Sequence, residues 1–187
     1  MKTLGLFRHA KSDWDDPRAR DFDRPLNPRG QTWAPIMGDH IRAFCVERGL
    51  VWNRIMSSPA VRAAQTIELA SQGAGLPHGA AFAINWDRRL YLASSATLID
   101  VLRELPEDLG SVLMVGHNPG LEDLIFDLVP DDGSSPLRDI VEVKFPTGSF
   151  ALLELDIERW SDVDDGCARL VHLTRPRDLA PNGQLGI

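Results

Sequence analysis

Arg8 and His9 stand side by side at the end of a mostly apolar run, in the stretch LGLFRHAKSDW from Leu4 to Trp14. A guanidinium is a permanently charged fork that matches two phosphate oxygens, and an imidazole can carry a proton or attack an electrophile near neutral pH. A second histidine, His117, follows the apolar run SVLMV at Ser111 to Val115. Arg62 lies one helical turn beyond another short apolar run, and Ser57 and Ser58 stand between the two. Two arginines and two histidines gathered in one place would bind a tetrahedral anion, phosphate above all. Each also has a plainer reading. Arg8 and His9 can be a solvated strand end, Arg62 a helix-surface arginine, and His117 a turn residue satisfied by the backbone.

The elements that must position these residues decide between the readings. Lys2 to Phe7, Asn53 to Ser57 and Ser111 to Val115 read as strands, the last as one covered on both faces. Ala81 to Trp86 is a further strand candidate. Between them fall helical patterns: Asn27-Pro28 to Arg48, stopped at Gly49; Ala60 to Gln72, stopped at Gly73; and Thr97 to Leu105, stopped at Pro106. Pro35 predicts a kink or a delayed start in the first helix. The Gly- and Pro-rich segment after Val115 turns into the helix LEDLIFDLV. Val141 to Phe145 and Phe150 to Leu155 read as two strands around the turn PTGS, with Ala168 to Leu173 as one more and a loose tail from Arg175.

Strands alternating with helices through residue 130 predict a three-layer α/β/α sandwich with a mainly parallel central sheet and an antiparallel edge. In such sheets ligands bind beyond the carboxyl ends of the strands. Arg8 and His9, Ser57 and Ser58, and His117 each follow a different strand, so one sheet edge would receive them all. Three independent strand ends in agreement outweigh the plainer reading of each residue.

Composition narrows the partners. The chain has 187 residues, which fits a single domain over 1–187, and carries a net charge of −7 with no long basic run. Nucleic acid and anionic membranes are therefore poor partners, and an anion must be held by local arginines against the global field. No apolar run reaches membrane-spanning length, and Cys45 and Cys167 form no motif, so a reducing cytoplasm is the expected location. The aspartates Asp13, Asp15 and Asp16 near His9 could suggest a metal, but no metal-ligand histidine spacing accompanies them. His40, His78 and His172 read as structural or exposed, and Trp33, Trp52, Trp86 and Trp160 as packing residues.

The blocks LFRHAKSDW, RPLNPRG, SSPAVRAAQT and VGHNP together resemble, in order, the signature blocks of the histidine phosphatase superfamily, the phosphoglycerate-mutase-like proteins. KFPTGSFALLEL further resembles the short SixA-like branch that acts on phosphohistidine. The resemblance implies a cofactor-free, metal-independent phosphatase in which His9 attacks phosphorus and becomes a phosphohistidine intermediate. It also implies that Arg8, Arg62 and His117 hold the phosphoryl oxygens, with Ser12 close to the phosphate. The first motif has alanine where glycine is commoner.

Ester-cleaving relatives usually carry a glutamate after the third strand, but DRRLYLASSATL has no carboxylate between Arg88 and Asp100. Asp87 or a loop aspartate between Asp13 and Asp23 could substitute. An alkoxide needs a general acid to leave, whereas the imidazole of phosphohistidine can be protonated beforehand. The expected substrate is therefore a histidine-phosphorylated protein. The alternatives are a small phosphorylated metabolite cleaved with the same nucleophile and Asp13, Asp15 or Asp16 as acid, and a non-catalytic phosphate-binding module.

Overall fold

A computed structural model describes residues 1–72, 75–77 and 83–180. Six strands form one sheet in the order β3-β2-β4-β1-β5-β6. They are β1 (Lys2–Arg8), β2 (Arg54–Ser57), β3 (Ile84–Trp86), β4 (Ser111–Gly116), β5 (Phe150–Leu155) and β6 (Ala168–Thr174). β3, β2, β4 and β1 run parallel, and β5 and β6 add antiparallel. This is the three-layer sandwich that the pattern of elements predicts.

Alternation along the central strands assigns each residue to a face. Leu4 and Leu6 of β1, Val112 and Met114 of β4, and Leu153 and Leu155 of β5 enter one core. Helices α3 (Ser95–Arg103), α4 (Gly120–Leu128) and α5 (Pro136–Val143) close that core. Phe7, Leu113, Val115, Phe150 and Leu152 point the other way, onto α1 (Pro28–Arg48) and α2 (Val61–Ala70). Trp52 fills the space beside Gly5 in this second layer and is fully buried. The helix after β1 thus lies on one face and the helix after β4 on the other. Adjacent parallel strands that feed opposite faces leave a crevice at their carboxyl ends.

Local chemistry explains the helix starts. Asn27 caps α1, its side-chain oxygen accepting from the Gly30 N–H at 2.8 Å, with Pro28 as the first helical residue. Gly49 ends the helix with a left-handed φ of 63°. The delayed start expected from Pro35 does not occur: the helix runs from Pro28 through Pro35 to Arg48, the proline forgoing one main-chain bond within a long, otherwise bonded element.

Two other expectations are corrected. Val141 is not in a strand but in α5, where Ser135 accepts from the Arg138 N–H and Pro136 opens the helix. Local capping there overrides the β-propensity of the valines, and Val143 is left exposed at the helix end. Trp86 ends the edge strand β3 and is 45% exposed rather than packed. Of the tail from Arg175, Pro176–Leu179 form a short helix, α6, with Asp178 paired to Arg175 at 2.9 Å, and residues 181–187 lie outside the described residues. The third-strand reading is met at Ile84–Trp86. Its first residues, 81 and 82, like His78 and the helix stop at Gly73, lie outside the described residues. Among the described residues no helix is long and apolar enough to cross a membrane.

The packing of α1 on α2 depends on close approach at Gly38, where an added Cβ would sit on the Ala70 backbone. Backbone cannot yield as a side-chain tip can, so overpacking there is costly. Gly38→Ala is expected to lose roughly 2–3 kcal/mol, seen as a fall in Tm of about 5–10 °C. An unchanged thermal melt would mean that the crossing adjusts.

Candidate active site

β1 ends at Arg8, in register with Gly116 at the end of β4, and the His9 N–H donates to the Gly116 carbonyl at 3.1 Å. The strand ends therefore deliver His9 and His117 to the same crevice, with ring centroids 5.0 Å apart. α2 and α4 start just beyond Ser58 and His117, so their N-termini bring partial positive charge to this edge. Arg8, His9, Ser12, Arg62 and His117 all line one pocket of about 290 Å³. The five residues chosen from sequence converge. Ser57 is fully buried beneath the site, its hydroxyl donating to the Ser58 carbonyl at 3.1 Å.

Hydrogen bonds fix the state of each ring. His9 Nδ1 lies 2.7 Å from the Ala10 carbonyl, an acceptor only, so Nδ1 carries the proton and Nε2 the lone pair. That lone pair faces the Arg62 Nε–H at 3.3 Å. Burial, with the charges of Arg62 and Arg8, pushes the His9 pKa down to about 3. The nucleophilic form is thus the resting form at neutral pH. His117 is held still lower, at about 2, by burial and then by His9 and Arg62. Its Nε2 lies 2.8 Å from Ser58 Oγ, which already accepts from the Ala60 N–H at 3.3 Å. Where the Ser58 hydroxyl donates to Nε2, the His117 proton sits on Nδ1.

Two buried nitrogens of this pocket have no partner among the described residues: His117 Nδ1 and Arg8 Nε. Arg8 is otherwise anchored, its Nη1 donating to the Phe145 carbonyl at 2.6 Å. Unmet buried polar groups are costly and uncommon in folded proteins. Here both belong to one anion-sized pocket, where oxygens of a bound oxyanion would accept from them. Arg62 is only 4% exposed. The Thr66 hydroxyl donates to the Arg62 carbonyl at 2.6 Å and accepts from the Ala10 N–H at 2.9 Å, tying helix α2 to the loop after β1.

The sequence offered Asp13, Asp15 or Asp16 as the acid, with Asp87 and the other loop aspartates open, but the carboxylate that lines the pocket is Asp21. Its side chain accepts from Arg62 Nη2 at 2.9 Å and from the Tyr91 hydroxyl at 2.6 Å. Partial burial raises its pKa, but the bonds from Tyr91 and Arg62 outweigh this and hold it below the usual carboxylate range. Asp21 is therefore ionised at neutral pH. Tyr91, whose ring meets His117 edge-on at 5.4 Å, was missed in the sequence. Nothing in its local pattern marks it. Asp13 and Asp16 instead accept from the N–H groups of Asp15 and Arg18 in loop turns. Among the described residues no three His, Cys, Asp or Glu side chains are grouped to hold a metal ion. A larger cleft, about 740 Å³, lies by β6 and contains none of the site residues.

These depressed values have a consequence for stability. An unfolded histidine titrates near ~6.5, so below that pH the unfolded chain binds protons that buried His9 and His117 do not. Stability is therefore full above pH ~6.5 and falls as the pH drops toward the folded values. Between pH 7 and 5 the expected loss is on the order of 2 kcal/mol for each of the two. Denaturant unfolding at the two pH values checks this, with His9→Asn/His117→Asn expected to flatten the slope. Equal stability of the native protein at both would contradict it.

The family model described as the histidine phosphatase superfamily (branch 1) matches residues 4–81. An uncharacterised protein of Mycobacterium tuberculosis is 36% identical over 171 residues, covering 91% of this chain and 99% of that one. Among solved structures, a candidate SixA phosphohistidine phosphatase from Nakamurella multipartitia is 26% identical. It covers 94% of this chain and 96% of its own, with a TM-score of 0.74. A second candidate SixA, from Agrobacterium tumefaciens, is 28% identical over 94% of this chain and 98% of its own, with a TM-score of 0.72. The matched segment holds Arg8, His9 and Arg62, and the full-length likeness extends to the strand that delivers His117. The chain belongs to the histidine phosphatase superfamily and is SixA-like.

Proposed function

We propose that this protein hydrolyses phosphohistidine on a partner protein, with His9 as the nucleophile. The observation that carries the reading is a neutral His9 Nε2 beside Arg62, in a pocket where Arg8 Nε and His117 Nδ1 lack partners. The lone pair of Nε2 attacks phosphorus as the bond to the substrate's imidazole nitrogen breaks. The departing imidazole takes its proton from the medium, before or during departure. Water then attacks the phosphorylated His9, releasing inorganic phosphate and restoring the ring. Splitting one displacement into two in this way is covalent catalysis.

Arg8, Arg62 and His117 serve as oxyanion donors that are already oriented before substrate arrives. Such preorganised charge carries most of phosphoryl transfer, so the reaction calls on no metal. Ser12, 5% exposed and bonded to Trp14 Nε1 at 3.1 Å, shapes the pocket wall near the phosphoryl group.

Asp21 bears on the choice of substrate. It is the carboxylate among the pocket's described residues, and Arg62 and Tyr91 keep it ionised. An ionised carboxylate cannot protonate an alkoxide, while a protonated imidazole leaves without help. This supports phosphohistidine over phosphate esters. It also supplies the rival: a small-molecule phosphomonoesterase in which Asp21 takes up a proton once phosphate competes for Arg62.

The test compares a histidine-phosphorylated protein with an aryl phosphate ester, both in EDTA, for wild type, His9→Ala and Asp21→Asn. Turnover of phosphohistidine at least ~100-fold faster than of the ester is expected, with His9→Ala lowering it by ~10⁴ or more. Ester cleavage of comparable speed, abolished in Asp21→Asn, would transfer the assignment to the phosphomonoesterase. Phosphate binding without turnover of either compound would leave a binding module.

A further inference from the structure

Beside the reactive pocket lies a second cleft of about 390 Å³ that shares Arg8, Lys11 and Thr147 with it. Its charged lining is entirely cationic: Arg8, Lys11, Arg29, Lys144 and Arg177. Among the described residues none of these five enters an ion pair, although ten other arginines do. Asp178, next to Arg177 in the chain, is turned to Arg175 instead. On a chain of net charge −7, five cations without an ion-pair partner around one hollow make a local concentration of positive charge opposite to the global balance.

The walls of the cleft come from four segments, and the backbone holds them together. The Asn27 N–H donates to the Lys11 carbonyl at 3.0 Å, which sets the start of α1, and with it Arg29, beside the loop after β1. The Gly148 N–H donates to the carbonyls of Arg8 and His9 at 3.1 and 3.0 Å, which holds Pro146 and Thr147 over the strand end. Gly148 has a φ of +80°, and an added Cβ there would crowd Pro176 Cγ at 2.9 Å. This close contact seats α6 and brings in Arg177. The side chains of Lys11, Arg29, Lys144 and Arg177 reach solvent from a fixed frame.

We infer that this cleft is a second anion subsite, which takes a further negatively charged group carried by the same molecule as the transferred phosphoryl. The inference deepens the reading above and rests on it for the reaction at His9. Its ligand chemistry is that of a polyanion, with one phosphoryl at His9 and the next phosphoryl or carboxylate in the cleft. On a protein substrate the second group is an acidic side chain flanking the phosphohistidine. On a small molecule it is a second phosphate.

Calorimetric titration with orthophosphate and with tripolyphosphate tests the subsite without turnover. Wild type is expected to bind tripolyphosphate about 30-fold more tightly, and R29Q/K144Q/R177Q to narrow that ratio to under about threefold. Arg177→Gln alone should narrow it partway, should the triple variant fold poorly. Equal affinity for the two anions in wild type would overturn the subsite. So would a ratio that survives in the variants, or an equal loss of both anions. Phosphohistidine peptides flanked by glutamate or by glutamine then separate the sources. A glutamate preference that the triple variant loses assigns the cleft to a protein segment, and no preference beside intact tripolyphosphate selectivity assigns it to a small polyanion. If neither peptide is hydrolysed, the phosphohistidine reading fails while the titration still decides the cleft.

Discussion

The pairing of β1 with β4 is the constraint on which the site depends. Phe7 and Val115 face one core and Leu6 and Met114 the other, so the register is set by burial on both sides of the sheet. A one-residue slip would exchange those faces and drive Arg8 toward the apolar interior. With the register held, the polar residues begin where pairing ends, at Arg8 opposite Gly116. The chain after β1 passes to the face of α1 and the chain after β4 to the face of α4. The crevice between them is a product of topology.

Burial then sets the chemistry of that crevice. Two imidazoles are enclosed among guanidinium groups, and both stay neutral because a further positive charge there would be poorly solvated. Neutrality leaves His9 with a nucleophilic lone pair and leaves His117 with a single ring N–H. Asp21 offsets part of the positive charge, and Tyr91 and Arg62 keep it ionised. The arrangement lowers stability, since buried nitrogens lie unmatched, and below pH ~6.5 the resistance of the histidines to protonation adds to the loss. Such cost concentrated in one pocket is typical of a site shaped for a reaction.

The described part of the C-terminal third places Thr147 in the lining of the His9 pocket and shapes the approach to it. The loop before β5 bonds to the end of β1, and α6 packs on that loop through Gly148 and Pro176. These contacts carry Thr147, Lys144 and Arg177 to the rim of the crevice. A sheet edge extended by β5 and β6 thus joins the reactive centre to a surface of matching charge.

Much of this was legible in the sequence. Apolar runs ending in Arg8-His9, Ser57-Ser58 and Gly116-His117 marked the strands and their chemistry, because strand ends are where buried pattern gives way to function. Caps such as Asn27 and Gly49 marked α1, since they act through bonds a few residues long. Val141 misled because alternating valines carry β-propensity, whereas the cap at Ser135 and the proline after it began a helix. Asp21 was one of several loop aspartates until the fold set it against Arg62 and Tyr91, 41 and 70 residues away. Tyr91 and the cationic cleft gave no local signal, being assembled from segments brought together by packing. Periodicity and capping are local and can be read from the chain. Which carboxylate meets which guanidinium is decided by contacts between residues far apart in sequence, and only the tertiary structure makes them.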